Sequence, residues 1–316
     1  MNNPINFALF GASGYVAPRH MKAIKATGNN LVAALDPYDN CGVLDSYFLD
    51  CAFFTQFERF DRFLDKCRRD GNPIEWVSIA TPNHLHDAHI RYALRNGCNV
   101  ICEKPLVIMP HNLDGLLELE QETGKRVFTV MQLREHERIK ELKWSVDETL
   151  KRNPSHIFDV QLEYTTVRGP WFFHSWKGNE NLSGGLAANI GIHFLDVLAW
   201  IFGKEQHTEL HHKESDLMSG FTAFTNAGVT WNLSTSPEML AIHGLAGDVR
   251  AYRRLTVDGA NIDFSDGFNN LHTVVYEKAL SGEGVGISAA RNSIDLAHKI
   301  RGMGVERKGC GCGKCG

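Results

Sequence analysis

Short apolar runs recur along the first half of the chain, each closed by a polar or glycine-containing cluster. Residues 5–10, 31–35, 76–80, 99–102 and 126–131 read as buried strands. Helical spacing fills the gaps between them. Met21 and Ile24 share a face after the first strand, and Phe53, Phe57, Phe60 and Leu64 do so over residues 53–67. A further helix runs to about Asn96 with Gly97 as its stop, and another covers 111–123. This alternation predicts a doubly wound parallel sheet, an α/β dinucleotide-binding (Rossmann) domain over residues 1–133.

After Arg134 the texture changes. A helix is predicted over 137–150. Residues 157–167 then alternate, with Phe158, Val160, Leu162, Tyr164 and Thr166 on one face of a long strand. A polar and aromatic loop, 169–181, precedes an apolar helix at 185–202. Turns at Asn226-Ala227-Gly228 and Asp258-Gly259 predict two hairpins, and helices at 271–280 and 288–300 follow. The pattern predicts an α+β domain over 134–305 with a large, mainly antiparallel open sheet, then a flexible Cys/Gly-rich tail at 306–316.

Composition narrows the function without naming it. The chain has 316 residues, 43% hydrophobic and 22% charged, enough for two full cores of an ordinary globular protein. Its formal charge of −4 supplies no basic field for nucleic acid. The apolar stretch 186–202 contains Asn189, His193 and Asp196, which argues against a membrane span, and no leader pattern opens the chain. A cytoplasmic protein is expected. Cys310, Cys312 and Cys315 crowd the tail, yet three thiolates do not close a tetrahedral zinc site. No metal is expected.

The first strand runs directly into Gly11-Ala12-Ser13-Gly14-Tyr15-Val16-Ala17 and then a helix. Strand, glycine turn and helix together form a pyrophosphate cradle: Gly11 allows the tight turn, and Gly14 lets backbone approach the ligand. The second strand ends at Asp36, where an acid accepts from a ribose diol and repels a 2′-phosphate, favouring NAD over NADP. Two later strands end on the same sheet edge, in Thr81-Pro82-Asn83 with His86 and in Glu103-Lys104-Pro105. That edge is where open α/β sheets bind ligands.

Four residues separate Asn189 from His193, which puts both on one helix face. Asp196 could orient His193 or pair elsewhere. Lysine, with a free pKa of about 10.4, is a weaker candidate base than histidine, so the chemistry favours His193 for the proton and Lys104 for the developing oxygen charge. The plainer readings are a solvated Glu103–Lys104 pair and a core histidine.

Taken in order, the glycine turn, Thr81-Pro82-Asn83 with His86, Glu103-Lys104-Pro105 and Gly191-Ile192-His193-Phe194-Leu195-Asp196 resemble the Gfo/Idh/MocA family of nicotinamide-dependent sugar and polyol dehydrogenases. The resemblance extends to about Arg301. It implies NAD held by Gly11, Ser13, Gly14, Tyr15, Val16, Asp36, Thr81, Pro82, Asn83, His86, Glu103, Lys104, Gln132 and Trp176. It also implies Lys104, His193 and Asn189 as the catalytic group. More narrowly, residues 14–21, 30–36, 44–48, 175–178 and 264–268 are similar to the subgroup that oxidises UDP-N-acetylglucosaminuronic acid in bacterial surface-polysaccharide (O-antigen) synthesis.

That subgroup implies oxidation of the sugar C3 hydroxyl to a ketone, a homotetramer, and a retained cofactor recycled by 2-oxoglutarate. Lys104, Arg168, Lys177, Asn189 and His193 would then meet the substrate. Two alternatives remain open: a dehydrogenase of the same family acting on a free sugar or inositol, and a non-catalytic NAD-binding regulator.

Overall fold

The computed structural model describes residues 3–245, 249–264 and 266–305. The cysteine-rich tail with Cys310, Cys312 and Cys315 lies outside the described residues.

Six parallel strands form the first sheet: β1 (Asn6–Phe10), β2 (Asn30–Leu35), β3 (Ala52–Phe54), β4 (Trp76–Ile79), β5 (Asn99–Cys102) and β6 (Val127–Thr129). Their order is β3-β2-β1-β4-β5-β6. Helices α1 (Ala17–Ala26), α2 (Phe57–Arg69), α3 (His86–Arg95) and α4 (His111–Thr123) connect them. Every residue of β1 and β4 is buried, which explains why these strands read as unbroken apolar runs and not as alternating ones. The order reverses between β1 and β4, leaving a crevice at their carboxyl ends.

One helix assignment changes. Residues 53–67 do not form a single helix: Ala52–Phe54 pair with β2, and α2 begins only at Phe57. Phe53 and Phe57 fit helical spacing, but pairing as an edge strand satisfies backbone groups that β2 would otherwise leave open.

The second half contains α5 (Glu137–Arg152), β7 (Phe158–Thr166), α6 (Pro170–His174), α7 (Glu180–Ser183) and α8 (Ile192–Phe202). It continues with β8 (Glu205–Lys213), β9 (Leu217–Phe224), β10 (Ala227–Ser234), α9 (Glu238–Ile242), β11 (Ala251–Val257) and β12 (Ala260–Ile262). Helices α10 (Leu271–Leu280) and α11 (Ile287–Gly302) complete it. Its sheet order is β12-β11-β7-β10-β9-β8, antiparallel except where β7 and β10 run parallel at the centre. Asp258 and Gly259 turn β11 into β12 with φ of 48° and 79°, the left-handed pair a two-residue hairpin requires. The other hairpin turns one residue earlier than expected: Ala227 and Gly228 already pair with Phe224 and Ala223.

The segment expected as a loop at 169–181 is a chain of short capped turns. Ser175 Oγ accepts from the Lys177 N–H at 3.3 Å, and Asn179 Oδ1 from the Asn181 N–H at 2.9 Å. The apolar helix also departs from regularity, since Ala187–Gly191 form a wide π turn before α8 starts. The helical stretch Glu180–Phe202 is long and apolar enough to cross a membrane, its most apolar 18-residue window having mean hydropathy 1.6, but 83% of that window is buried inside the protein.

The two halves share a core layer. α10 returns to the first sheet, where Val275, Tyr276 and Ala279 pack with Met21 and Ile24 of α1. α11 packs on both α8 and α4.

Candidate active site

β1 delivers the glycine turn to the crevice. Gly11 has φ of 84°, and a Cβ there would stand 2.7 Å from the Ala80 carbonyl carbon at the end of β4. Only glycine lets the two strands end this close. The turn is tied to β2 by the Ser13 N–H, which donates to Asp36 Oδ2 at 3.0 Å, while the Tyr38 N–H donates to Oδ1 at 3.0 Å. Each Asp36 oxygen keeps a second lone pair at the cleft wall, so the acid organises the turn and can still accept from a diol. Tyr15 stands at the rim, 86% exposed, and Val16 behind it.

The cleft has a volume of about 1160 Å³ and runs from this turn to the second sheet. Thr81, Pro82, Asn83, Gln132 and Trp176 line it as expected positions for a cofactor. Thr81 Oγ1 bonds His89 Nδ1 at 3.0 Å, and Asn83 Nδ2 donates to the Ser183 carbonyl at 2.7 Å, which ties β4 to the second half.

His86 requires a correction. It is fully buried, with Nδ1 2.8 Å from the Pro105 carbonyl and Nε2 2.9 Å from the Thr81 carbonyl. It braces the ends of β4 and β5 against each other and does not line the cleft, so it is not a cofactor contact.

Lys104 follows β5 into the cleft, and its Nζ donates to the Asn189 carbonyl at 2.9 Å. That carbonyl lies within the wide turn Ala187–Gly191, just before α8 starts. Asn189 and His193 both face the cleft. Asn189 Nδ2 and His193 Nδ1 are buried without a protein partner. Buried polar atoms are seldom left so, and here both point to a ligand.

Asp196 does not orient His193. Its carboxylate forms a two-pronged pair with Arg134, at 2.7 Å for both Nε–Oδ2 and Nη2–Oδ1, and also accepts from Ser293 Oγ at 3.3 Å. The pair pins α8 to the segment after β6.

Protonation follows from these surroundings. Burial pushes His193 down to about 3, and the nearby Lys104 charge adds to it. Burial also lowers Lys104; Glu103 opposes this, while Arg168, Lys177 and Arg19 reinforce it. The imidazole is therefore neutral and a weak base, whereas the lysine moves from its usual range toward neutrality. With both groups shifted, ordinary pKa values no longer decide between His193 and Lys104 as the base.

Glu103 lines the cleft wall, yet both its oxygens have protein donors. Oε1 receives His20 Nε2 and His272 Nε2, each at 3.1 Å, and Oε2 receives the Lys104 N–H at 3.2 Å.

Among the described residues, six cations border the cleft (Arg19, Lys22, Lys104, Arg168, Lys177 and Arg253) against two carboxylates, Asp36 and Glu103, so it favours anionic ligands. Lys177 Nζ sits over the rings of Trp171 at 4.8 Å and Trp176 at 5.0 Å. Arg168 lies over Phe172 at 5.8 Å. Sequence reasoning missed Arg253. It enters because β11 pairs it with Tyr164 of β7, whose face passes from the core at Phe158 into the cleft at Thr166.

The fold and site define a dinucleotide-dependent oxidoreductase. The chain belongs to the Gfo/Idh/MocA oxidoreductase family: residues 5–131 match its NAD-binding Rossmann fold and residues 156–228 its C-terminal alpha/beta domain. It is 45% identical to the WlbA (WbpB) dehydrogenase from Thermus thermophilus in complex with NAD and UDP-GlcNAcA, with TM-score 0.90 over 96% of both chains. A second structure of that enzyme, with NAD and alpha-ketoglutarate, matches at 46% identity and TM-score 0.88, again over 96% of both chains. The WlbA dehydrogenase from Bordetella pertussis, at 17% identity, shares the fold with TM-score 0.76 over 95% of both chains.

Among curated relatives, the 2,7-anhydro-N-acetylneuraminate hydratase of Mediterraneibacter gnavus is 31% identical over 121 residues, 38% of this chain. D-glucoside 3-dehydrogenase of Escherichia coli is 28% identical over 133 residues, 40% of this chain. The matches span only 29% and 35% of those two proteins.

Proposed function

We propose that this protein oxidises the C3 hydroxyl of UDP-N-acetylglucosaminuronic acid to a ketone with NAD. One observation carries the reading. Lys104 joins the end of β5 to the wide turn before α8, beside the unpartnered Asn189 Nδ2 and His193 Nδ1, a ready site for a sugar hydroxyl. The choice of sugar rests on the cationic cleft and on the likeness to the Thermus enzyme holding NAD and UDP-GlcNAcA.

Bound NAD supplies the hydride acceptor. Gly11, Ser13, Gly14 and Asp36 would hold it at the switch point, with Thr81, Pro82, Asn83, Gln132 and Trp176 along its path. Lys104, in its uncharged form, takes the hydroxyl proton on Nζ. Neutral His193 hydrogen-bonds the same oxygen, and Asn189 Nδ2 donates to an oxygen of the sugar. Arg168, Lys177 and Arg253 meet the carboxylate and diphosphate. The rims supplied by both sheets keep the reacting carbon placed.

The same reading includes recycling of retained cofactor by 2-oxoglutarate, assembly as a homotetramer through the second sheet, and a place in surface-polysaccharide synthesis in the cytoplasm. A single-turnover assay tests the core of it. NADH absorbance should appear on mixing protein, NAD and UDP-N-acetylglucosaminuronic acid, and not with UDP-N-acetylglucosamine. Reduction by neither sugar, with NAD bound, would reject the substrate. Turnover of a free sugar or an inositol in its place would assign a different dehydrogenase of the family.

A further inference from the structure

Beneath Lys104 lies a buried polar chain that the proposed chemistry leaves unused. His20 on α1 is fully buried, with Nε2 3.1 Å from Glu103 Oε1 and Nδ1 2.7 Å from the Tyr276 hydroxyl. That hydroxyl lies 2.6 Å from Ser78 Oγ on β4. His272, one turn before Tyr276 on α10, brings its own Nε2 to 3.1 Å from the same Glu103 oxygen. One arrangement of protons satisfies every link. Ser78 donates to Tyr276, Tyr276 donates to His20 Nδ1, and His20 and His272 each donate an Nε2–H to Glu103.

With Glu103 ionised, the opposite tautomer of His20 would set a nitrogen lone pair against a carboxylate oxygen and is disfavoured electrostatically. A metal fits the residue types, since His20, Glu103 and His272 place three ligand atoms within 4.8 Å of one another. No metal is needed to hold them together, because each ring nitrogen lies at hydrogen-bond distance, 3.1 Å, from the same carboxylate oxygen. The chain also ends at Ser78, itself fully buried, so it is no path for protons to solvent.

We propose that His20, His272 and Tyr276 are positioning residues that lock Glu103 as a carboxylate against Lys104, fixing both the place and the proton affinity of the lysine. This rests on Lys104 being the base of the proposed reaction. Burial alone would raise the Glu103 carboxyl; the two imidazole donors outweigh it and hold it well below its ordinary range. The other titratable groups around it are Cys102, His86, His193, Arg19 and Lys104. For both Lys104 and His193, Glu103 is the leading opposition to loss of charge, and Lys104 is the one whose backbone N–H also bonds the carboxylate, at 3.2 Å. Two of the three positioning residues come from α10, so the carboxylate beside the base is set by the docking of the second half onto the first.

Three variants and one spectrum test this. His272→Leu removes a donor, His272→Gln keeps one at similar reach, and Tyr276→Phe removes only the hydroxyl that fixes the His20 tautomer. The pH profile of single-turnover NADH formation should move in His272→Leu and Tyr276→Phe. The rate should fall about tenfold, the size of one charge-assisted hydrogen bond. His272→Gln should return most of both, and the affinity for NAD should stay unchanged. Equal losses in His272→Leu and His272→Gln with an unmoved profile would mean that the histidine only packs, and would overturn the proposal.

A readout independent of activity separates this from a wrong substrate. Long-range proton–nitrogen spectra of the 15N-histidine protein should show an Nε2–H donor at both His20 and His272, with His20 remaining a neutral tautomer as pH falls through the usual histidine range. An Nδ1–H signal for His20, or replacement of these signals on adding Zn²⁺ alone, would overturn the proposal even if the sugar is correct. The expected tautomers in a protein that reduces no NAD would leave the chain standing and fail the reaction.

Discussion

Lys104 and Asn189 are 85 positions apart in sequence, yet the lysine Nζ donates to the asparagine carbonyl at 2.9 Å. The bond joins the end of a parallel strand to a wide helical turn in the other half. It holds the lysine where a hydroxyl could also receive it. Lys104→Ala should therefore slow single-turnover NADH formation by about 100- to 10,000-fold, the usual contribution of a positioned proton acceptor. NAD affinity, followed by fluorescence titration, should change little. His193→Gln should cost less, because a neutral imidazole that only hydrogen-bonds the oxygen can be partly replaced by an amide.

Asp36 serves the glycine turn and the cofactor at once. In Asp36→Ala the Ser13 and Tyr38 N–H groups lose their acceptor, and a charge that repels a 2′-phosphate disappears. The expected result is a rise in the KM for NAD of about tenfold or more, with a smaller change for NADP. Comparing the two KM values checks it. An unchanged NAD-to-NADP ratio would remove Asp36 from cofactor choice.

The Arg134–Asp196 pair predicts a stability defect distinct from any catalytic one. Asp196 is almost fully buried, and Asp196→Asn leaves the Arg134 charge without its counter-ion. Breaking such a pair costs about 3 kcal/mol or more. Urea unfolding should show a lower midpoint with the slope unchanged, and NADH formation per folded molecule should remain near wild type.

Acid should destabilise the fold well before its carboxylates titrate. Burial pushes His193 down to about 3 and His89 to about 4. Below the ordinary histidine pKa of about 6.5 the unfolded chain binds protons that the native state refuses, so stability falls as pH falls. Each such histidine contributes a slope of about 1.4 kcal/mol per pH unit between about 6.5 and its folded value. Urea midpoints measured down the pH scale should show this decline, and His193→Gln should lessen it by one proton's worth.

The sequence made legible what is local. Gly11, Gly14 and Asp36 sit in one strand–turn–helix–strand unit, so their chemistry could be read from spacing, as could the strand ending in Glu103-Lys104-Pro105. Arg253 could not, because only the register of β11 against β7 brings it beside Tyr164. His20, His272 and Tyr276 were invisible for the same reason, being joined by packing between α1 and α10. The wide turn at Ala187–Gly191 was hidden within an apolar run that any helix would satisfy. His86 was misplaced because a motif reveals that a residue matters, while burial decides whether it touches ligand or braces backbone.

The return of α10 to the first sheet bears on how the chain is made. Val275, Tyr276 and Ala279 complete the layer that covers α1 and β1, and they leave the ribosome after every described strand of both sheets. Until they emerge, the N-terminal half holds an apolar face open to other nascent chains. A gene truncated before Leu271 would keep the whole glycine turn and every strand of both sheets, and would still yield a sticky, incompletely covered product.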